Sequence, residues 1–587
     1  MPQQPTLVTA APPTPNGDLH LGHLAGPYSG ADMYTRARRL DSTSPTRFLT
    51  GSDVHQSYVP LKARALGRDP LEMADQYADV VAAIFAGAAF ASDVYVRPQH
   101  SALHQEAVRD FFQLLHRTGQ LVVASDECLY CDSCERYLFE GHVTGRCPEC
   151  GAESDGNSCE ECAWPNACTD LGDAVCNGCS RTPGRRTFQR LVLPLSRYAE
   201  RLRALYDTVT TGPHLEQLCT AMLERGLPDI PVSHPTDWGL TFPVPGFDDQ
   251  KVYVWAEMVP GYFAELMEAL RAEGEDPGRW REVWNASRVV QFFGFDNGYF
   301  HTVLHPALMM AYEDALRAEG APEAQLHLPD VWLTNEFFQL DDSKFSKSRG
   351  HAIWADALLA HVPGDLVRYA LAHDRPETAP TSFTWDRFRR LVDEELAGQW
   401  QGWLQGLLRR IDTVGNGRTP APGTPTATQQ RYADSLDALA DDVVRALTAE
   451  HFSPQRVVRC LGELVREARA FAAGQSRLLA TRPTSTEAQA ALTLEARAAR
   501  TLAVLAGPLM PDFAQRLWTA LGLAGAPVWT GRPESLPAGQ PIAARPPVFF
   551  APLAHDVDAR VMAGPEGGAG ATDAVMGADT LAGANPV

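Results

Sequence analysis

Residues 5–23 read PTLVTAAPPTPNGDLHLGH, and this stretch decides the fold. Residues 5–11 form an apolar run typical of a short buried strand, and a Pro/Gly turn then leads to a helix from about His20. A second strand is predicted at residues 45–50 (PTRFLT), with GSDVH directly after it. The alternation of strand, turn and helix favours an α/β domain in which helices cover a parallel sheet.

The tetrapeptide at the start of that helix brings two imidazoles together. His20 and His23 are three residues apart and therefore share one helical face. A helix N-terminus favours phosphate, and two imidazoles there would donate hydrogen bonds to ATP phosphates as charge builds in a transition state. Gly22 has no side chain and would let adenine lie against the backbone. A polar helix start on the surface is the alternative interpretation of the tetrapeptide alone.

A second basic motif lies far along the chain, at residues 344–350 (KFSKSRG). Its lysines, Lys344 and Lys347, stand on a loop that contains serine and glycine, which would suit a mobile clamp on a triphosphate. A solvated basic loop is the alternative for this segment alone. The pairing of the two motifs in one chain is therefore far more informative than either motif.

HLGH and KFSKS match the HIGH and KMSKS signatures, and through them the chain resembles the class I aminoacyl-tRNA synthetases. GSDVH, YVWAEMVPGY at 253–262 and GFDNGYFH at 294–301 occur in the order typical of methionyl-tRNA synthetases. The resemblance covers about residues 5–385. It implies a Rossmann-type class I catalytic domain with a zinc-knuckle insertion, plus a C-terminal α-helical bundle that matches only in outline.

The resemblance also implies roles for individual side chains. Asp53 would hold the ammonium group of an amino acid, and Trp255 would pack in the side-chain pocket, with ordinary core packing as the alternative for Trp255 and Tyr262. ATP would contact His20, Gly22, His23, Gly294, Asp296, Lys344, Ser346, Lys347 and Ser348. The amino acid would contact Pro12, Asp53, Trp255, Met258, Val259, Tyr262, Asn297, His301 and His305.

Ten of the twelve cysteines lie between Cys128 and Cys179. A cytosolic chain rarely keeps disulfides, so the cluster indicates metal ligands, and its four Cys-x-x-Cys pairs indicate two structural zinc ions. The resemblance implies one zinc on Cys147, Cys150, Cys159 and Cys162, and the other on Cys131, Cys134, Cys176 and Cys179. Cys128 and Cys168 are left over, and Cys219 and Cys460 are interpreted as buried apolar residues.

The implied amino-acid pocket departs from the methionyl pattern. Pro12 replaces a leucine, Thr14 replaces a lid tyrosine, and Met258-Val259 replaces Ala-Pro. Asn297 and His305 replace an isoleucine and a tryptophan, which brings polar groups into an apolar pocket. Because buried polar groups need partners, we expect an amino acid smaller or more polar than methionine. Neutral drift around retained methionine binding is the alternative.

Departures also occur at the nucleotide and in the helical region. Phe295 replaces a lysine, and Asn335-Glu336 replaces His-Gly. In the helical region, Gly402, Gly406 and Gly474-Gln475 align with positions at which the family reads the anticodon. Glycine can neither stack on a base nor bind its edge through a side chain. We therefore expect inefficient charging of methionine tRNA, unless the alignment slips.

A chain of 587 residues is expected to contain several structural units. Long helices are predicted at 388–412, 428–450, 455–480 and 486–522. The predicted units are a first catalytic half at 1–118, a zinc-knuckle insertion at 119–190, a second catalytic half at 191–330, a KFSKS and stem-contact region at 331–385, a helical bundle at 386–535, and a mostly disordered tail at 536–587.

The predicted reaction is ATP-dependent activation of an amino acid, with Mg²⁺ accompanying ATP. The leading hypothesis for the acceptor is a molecule other than methionine tRNA, such as an N-hydroxylated amine in hydrazine-type natural-product biosynthesis. A cupin partner would then be a separate chain. The alternatives are an authentic methionine–tRNA ligase and an inactive, zinc-bearing regulatory protein.

Composition narrows the setting of the protein. No stretch of about 18 apolar residues occurs, and the N-terminus lacks a basic region followed by an apolar core. We therefore expect no membrane element, no signal peptide and a cytoplasmic location. The formal charge of −21 argues against non-specific binding of nucleic acid.

Overall fold

A computed structural model describes residues 4–40, 45–345 and 351–563 of the chain. At its centre is a five-stranded parallel sheet with the strand order Val331–Asn335, Arg288–Gly294, Thr6–Ala10, Thr46–Gly51 and Val94–Val96. The strand order reverses between Thr6–Ala10 and Arg288–Gly294, so a crevice is expected at the carboxyl ends of these two strands. The predicted α/β Rossmann-type core is confirmed.

Helices cover both faces of this sheet and bury its apolar side chains, such as Val8, Phe48 and Phe292. The apolar run at 80–91 lies largely in the helix Pro70–Gly87, which Asp69 caps by accepting hydrogen bonds from two backbone amides. Within the described residues, no helix combines the length and apolar character needed to cross a membrane. The other helices of this half are Ser29–Arg39, Tyr58–Leu66, Ala102–Arg117, Ala199–Tyr206, Pro213–Arg225, Val254–Ala272, Trp280–Ala286 and His305–Ala318.

The cysteine-rich insertion is built from two small antiparallel sheets. One sheet contains Val122–Cys131, Arg136–Leu138, Gly184–Pro194 and Asp229–Pro231, and the other contains Glu140–Arg146, Glu153–Gly156 and Gly172–Cys176. The strand Gly184–Pro194 runs through residue 190, the predicted end of the insertion. The insertion therefore returns to the catalytic domain on a continuous strand rather than through a loop.

One predicted strand is largely wrong. The run KVYVWA at 251–256 predicts a strand, but only Lys251–Val252 is one, and it pairs with Ser233–His234. The helix Val254–Ala272 begins directly afterwards and carries Trp255. A short apolar run fits a buried helix as well as a strand, and here the helix packs against Ala102–Arg117 and the central sheet.

The C-terminal half is helical, as predicted, but its last long helix is broken. The helices are Trp385–Arg389 continuing through Trp400, then Gln401–Gly415, Ala427–Ala446, Pro454–Thr481, Thr486–Leu505 and Pro511–Ala520. The predicted helix at 486–522 ends at Leu505 because Gly507, Pro508 and Pro511 follow. Two shorter elements, Ala355–His361 and Gly364–His373, connect this half to the sheet.

A buried arginine joins the two halves. The Arg368 side chain is 0% exposed, and its guanidinium donates to the Asp32 carboxylate at 2.6 Å. The same guanidinium donates at 2.7 Å to the carbonyl oxygens of Pro508 and Leu509 at the broken end of the bundle. Asp32 lies on the helix after the histidine motif. The Arg368 side chain therefore links the catalytic domain, through its ion pair, to the bundle, through its two hydrogen bonds.

The predicted disorder of the tail is wrong for residues 536–563, which the structure describes. Residues 536–563 pack against the bundle, with Phe549 and Phe550 buried and a short helix at Val557–Met562. The side chain of Gln401 accepts from the backbone amides of both phenylalanines, at 2.6 and 3.0 Å. A few apolar anchors thus outweigh a Pro/Gly-rich composition. Residues 564–587 lie outside the described part of the chain.

Candidate active site

The histidine motif lies where the strand order reverses, as the crevice rule requires. The backbone amide of His20 donates to Nδ1 of His23 at 3.0 Å, and the two rings lie 3.7 Å apart. The backbone amide of Leu21 donates to Ile353, just past the second motif. The two imidazoles therefore lie side by side at the mouth of the crevice, where they could bind phosphate oxygens.

Phe345 covers the helix start. Its ring stacks on His20 with 4.6 Å between centroids and an interplanar angle of 4°. A Cβ atom on Gly22 would come within 2.9 Å of the Phe345 ring. The bare face that the resemblance assigns to adenine is thus occupied by Phe345 in this structure, and the ring must move before a base can lie there.

Lys344 is held by the cysteine-rich insertion. Its ammonium group forms an ion pair with Glu161, which lies between Cys159 and Cys162, and stands 4.4 Å above the ring of Phe337. Sequence reasoning did not anticipate this contact, because the two residues are 183 positions apart. The other motif residues assigned to ATP, namely Ser346, Lys347 and Ser348, lie outside the described residues.

Gly294 and Asp296 stand at the carboxyl end of the neighbouring strand. A Cβ atom on Gly294 would lie 2.4 Å from a carboxylate oxygen of Asp296, so a side chain there would displace that carboxylate. Burial, together with the nearby Glu160 carboxylate, raises the pKa of Asp296 to about 6. Gly294 and Asp296, both assigned to ATP, thus stand beside the crevice, and two acids of the cysteine-rich insertion, Glu160 and Glu161, act on this side of the site.

Two of the unusual nucleotide-side residues contact each other through His214. The ring of Phe295 stacks on His214 at 3.7 Å, and the Glu336 carboxylate bonds His214 Nδ1 at 2.7 Å. Asn335 lies at the sheet end, with its side chain donating to the Glu336 carbonyl. The departures from the family therefore form one mutually supporting cluster.

A separate cleft lies on the other side of the reversal point. It encloses about 380 Å³, including its open mouth, and is lined by Pro12, Asp53, Met258 and Tyr262 among others. Asp53 is buried and accepts from the Gln56 amide at 2.7 Å. Burial nevertheless raises the pKa of Asp53 to about 7. An arriving ammonium group would supply the missing positive charge.

The remaining predicted amino-acid contacts form the wall behind the cleft. Tyr262 and His301 share a hydrogen bond of 3.1 Å, and Nδ1 of His301 lies 3.2 Å from the Asn297 carbonyl. This arrangement fits a neutral His301 that donates to the carbonyl and accepts from the tyrosine. Burial lowers the pKa of His301 to about 4, in agreement with a neutral ring. Val259 is fully buried in the same wall.

The prediction that Asn297 and His305 bring polar groups into the amino-acid pocket is wrong in part. His305 is buried, yet its Nε2 lies 3.0 Å from the Trp255 carbonyl, which leaves Nδ1 alone without a partner in the described residues. Asn297 is half-buried beside Asp296 and is not a group enclosed by the cleft. Trp255 stacks on Phe300 at 3.7 Å, so core packing accounts for its ring here. Sequence position alone could not show that these side chains lie behind the cleft.

Sequence reasoning missed a buried ionic network at the cleft. Glu257 accepts from His55 at 2.7 Å and from His104 at 2.8 Å, and all three side chains are buried. Burial alone would raise the pKa of Glu257, but His55 and His104 lower it to about 2. Glu257 is thus a paired carboxylate that supports the wall next to Asp53. An acid inside the apolar run VWAEMV was the signal that could have revealed it.

The eight paired cysteines form two clusters in the groups that the resemblance implied. Cys131, Cys134, Cys176 and Cys179 have their sulfurs within 4.8 Å of one another, and so do Cys147, Cys150, Cys159 and Cys162. Sulfur pairs at 3.4–3.8 Å suit a tetrahedral ion with metal–sulfur bonds of about 2.3 Å. Each cluster could therefore hold one metal ion.

The other cysteines behave less uniformly than predicted. Cys128 and Cys168 lie outside the clusters, and each sulfur faces a backbone carbonyl. Cys219 is buried, as expected. Cys460 is only half-buried, so its interpretation as a core residue is wrong in degree.

Comparison with known proteins agrees with this geometry. The family model described as tRNA synthetases class I (M) matches residues 6–408. The methionine–tRNA ligase of Parabacteroides distasonis is 31% identical over 454 residues, which are 76% of this chain and 64% of that protein. The chain thus spans less than two thirds of that relative. The methionine–tRNA ligase of Pyrobaculum calidifontis is 29% identical over 87% of this chain and 88% of its own length.

A solved structure shows the same fold. Mycobacterium tuberculosis methionyl-tRNA synthetase in complex with methionyl-adenylate superposes with a TM-score of 0.74 at 21% identity, covering 93% of this chain and all of that one. The family match covers well over half of the chain and includes both signature motifs. The chain therefore belongs to the class I tRNA synthetase family, in the branch of the methionyl-tRNA synthetases.

Proposed function

We propose that this protein activates an amino acid with ATP to give an aminoacyl-adenylate and pyrophosphate. The observation that carries the proposal is the adjacent His20 and His23 pair at the reversal point of the sheet, beside a cleft that ends in Asp53. A carboxylate oxygen of the amino acid attacks the α-phosphorus, and the bond to the pyrophosphate oxygen breaks. The reaction requires no nucleophile from the protein, so positioning and charge stabilisation provide catalysis.

Each group has a separate task in this scheme. His20 and His23 donate hydrogen bonds to the phosphate oxygens, and Lys344 and Lys347 close on the leaving pyrophosphate. Asp53 holds the ammonium group of the amino acid, while Gly294 and Asp296 receive the ribose. Mg²⁺ bound with ATP would neutralise phosphate charge.

Two zinc ions in the cysteine clusters complete the proposed enzyme. Both sites use four thiolates and leave no open position, so they are structural and not catalytic. Elemental analysis of folded protein is expected to give two zinc ions per chain and one in Cys162→Ser. A zinc content unchanged in that variant would contradict the assignment of this cluster.

The amino acid is proposed to be smaller or more polar than methionine. Support comes from the cleft, which combines Asp53 with two further buried acids, Glu257 and Glu265, and with the hydroxyl of Ser52, which has no partner in the part of the chain that the structure describes. Methionine offers only a weak thioether acceptor to such groups. Asp53 and Glu257 already have partners, but an apolar side chain would leave Oε2 of Glu265 and Oγ of Ser52 without hydrogen bonds among the described residues.

The acceptor is proposed to be other than methionine tRNA. Gly402 and Gly474 are exposed on helices of the bundle, and a Cβ atom on either would contact nothing within 4 Å. These positions therefore present bare backbone where base recognition would need side chains. An N-hydroxylated amine acceptor, a separate cupin partner and a cytoplasmic location remain predictions from the sequence.

Authentic methionine–tRNA ligation is the second candidate. Relatives that carry that name are 28–31% identical to this chain, and two of them match 87% and 92% of it. ATP–pyrophosphate exchange with a panel of amino acids separates the candidates, together with electrophoresis of acylated and free methionine tRNA. Methionine as the best substrate, with rapid charging that depends on the anticodon, would establish the second candidate.

A further inference from the structure

Glu265 is a buried carboxyl in the amino-acid cleft. It lies one helical turn after Tyr262 and Gly261 on the helix Val254–Ala272, and all three residues line the cleft. Glu265 is 6% exposed, and its Oε2 has no hydrogen-bond partner among the described residues. Such an atom is rare in a folded protein and calls for an explanation.

The other two acids of the cleft already have partners. Asp53 accepts from Gln56, and Glu257 is bonded to two histidines. Glu265 differs, because its Oε2 has no hydrogen-bond partner among the described residues. The described residues that line the cleft also include no lysine or arginine that could pair with it. Burial therefore raises the pKa of Glu265 well above its usual range with no opposing effect from a cation.

A second polar atom faces the same space. Ser52 is buried next to Asp53, and its Oγ has no partner among the described residues. On the same side, a Cβ atom on Gly51 would lie 3.2 Å from Oε1 of Glu265, so that glycine leaves room beside the carboxyl. The cleft thus contains two separate acceptors, Asp53 and Glu265, with a hydroxyl near the first.

We propose that the substrate of this cleft is a diamino acid, whose α-ammonium binds Asp53 and whose side-chain ammonium binds Glu265. The inference rests on the proposed function, because it takes the cleft as the amino-acid site. A buried carboxylate binds a cation more strongly than it binds a neutral donor. Glu265 is therefore a specificity-determining residue, and it binds the side-chain ammonium as a carboxylate.

Matched pairs of amino acids test this proposal. The pairs are 2,4-diaminobutyrate with 2-aminobutyrate, ornithine with norvaline, and lysine with norleucine. We expect at least one diamino acid to exceed its partner about tenfold or more in kcat/KM for pyrophosphate exchange. In Glu265→Gln, kcat/KM for pyrophosphate exchange with that diamino acid should fall about 10–100-fold, which is the range for a lost hydrogen bond to a charged group. The ratio of kcat/KM between the diamino acid and its monoamino partner should fall by a similar factor.

Two controls separate specificity from damage to the fold. Glu282→Gln alters an exposed acid on the next helix, and kcat/KM should stay unchanged with both the diamino and the monoamino acid. Glu265→Met replaces the carboxyl by an apolar side chain of similar length and should lower the ratio of diamino to monoamino kcat/KM at least as far as Glu265→Gln does. Equal use of both members of every pair, or equal loss of both in Glu265→Gln, would overturn the assignment.

Calorimetric binding distinguishes this proposal from the proposed function. With the wild-type protein, the favoured diamino acid should bind more tightly than its partner. Glu265→Gln should remove this difference in affinity. Tighter diamino binding without any pyrophosphate exchange would refute adenylation but leave Glu265 as a specificity residue. Absence of any preference in binding would refute the role of Glu265.

Discussion

The two sides of the candidate active site differ in how closely they follow their family. On the nucleotide side, the HLGH and KFSKS motifs are retained, and the altered residues Phe295 and Glu336 support one another through His214. On the amino-acid side, Met258 lines the cleft, and Oε2 of Glu265 lacks a hydrogen-bond partner among the described residues. This difference supports the proposal that the protein keeps the adenylation chemistry of the family and uses an amino acid other than methionine.

The largest expected effect tests the nucleotide side. His23→Ala should lower the rate of pyrophosphate exchange by about 10²–10³, the usual loss for one donor to a developing charge. The variant also removes the acceptor for the His20 backbone amide, which holds the two rings together. His361→Ala, an exposed histidine on another helix, serves as the control. Near-full exchange in His23→Ala would refute the site assignment.

The next effect tests the amino-acid side. Methionine should give a kcat/KM about 10–100-fold below that of the best amino acid. Its side chain would leave the Glu265 carboxyl unpaired, and an unpaired buried polar group costs about 1–3 kcal/mol. Steady-state exchange at saturating ATP measures this ratio. If methionine ranks first, the difference between the two sides is drift, and the second candidate function is favoured.

A pH profile sharpens the comparison further. Asp53 has a raised pKa of about 7 in the empty cleft, so it is increasingly protonated below that pH. Only the carboxylate attracts ammonium, so KM for the amino acid should rise about tenfold between pH 8 and pH 6. KM for ATP should change less over this range. In Asp53→Asn the amino-acid KM should be high and lose this pH dependence, and a profile like that of the wild type would contradict the role of Asp53.

The smallest expected effect concerns the contact between the insertion and the motif loop. Glu161→Gln removes the partner of Lys344 and should lower KM for ATP by up to about fivefold, since such half-exposed ion pairs are worth about 0–1 kcal/mol. Glu149→Gln, in the neighbouring Cys-x-x-Cys turn, breaks a contact with Arg225 and should leave KM unchanged. A higher KM in Glu161→Gln would show that the pair positions Lys344 for ATP.

Features encoded in short stretches could be predicted from the sequence. The strand–turn–helix around HLGH and the spacing within each Cys-x-x-Cys pair are local, and the structure agrees with both. The network of His55, His104 and Glu257 could not be predicted, because its members are up to 202 positions apart. The prediction of a disordered tail missed the packing of Phe549 and Phe550 for a related reason. Composition does not show which few residues of such a segment pack against the rest of the protein.

Arg368 bears on whether the catalytic half can exist alone. Its guanidinium satisfies Asp32 on one side and two bundle carbonyls on the other, with no access to water. A chain cut after residue 385 would leave this charge facing solvent on one side, along with the apolar surface of Tyr369 and Leu371 that the bundle now covers. Autonomous folding of the first 385 residues is therefore not expected, and melting of the whole protein should be a single cooperative transition rather than two.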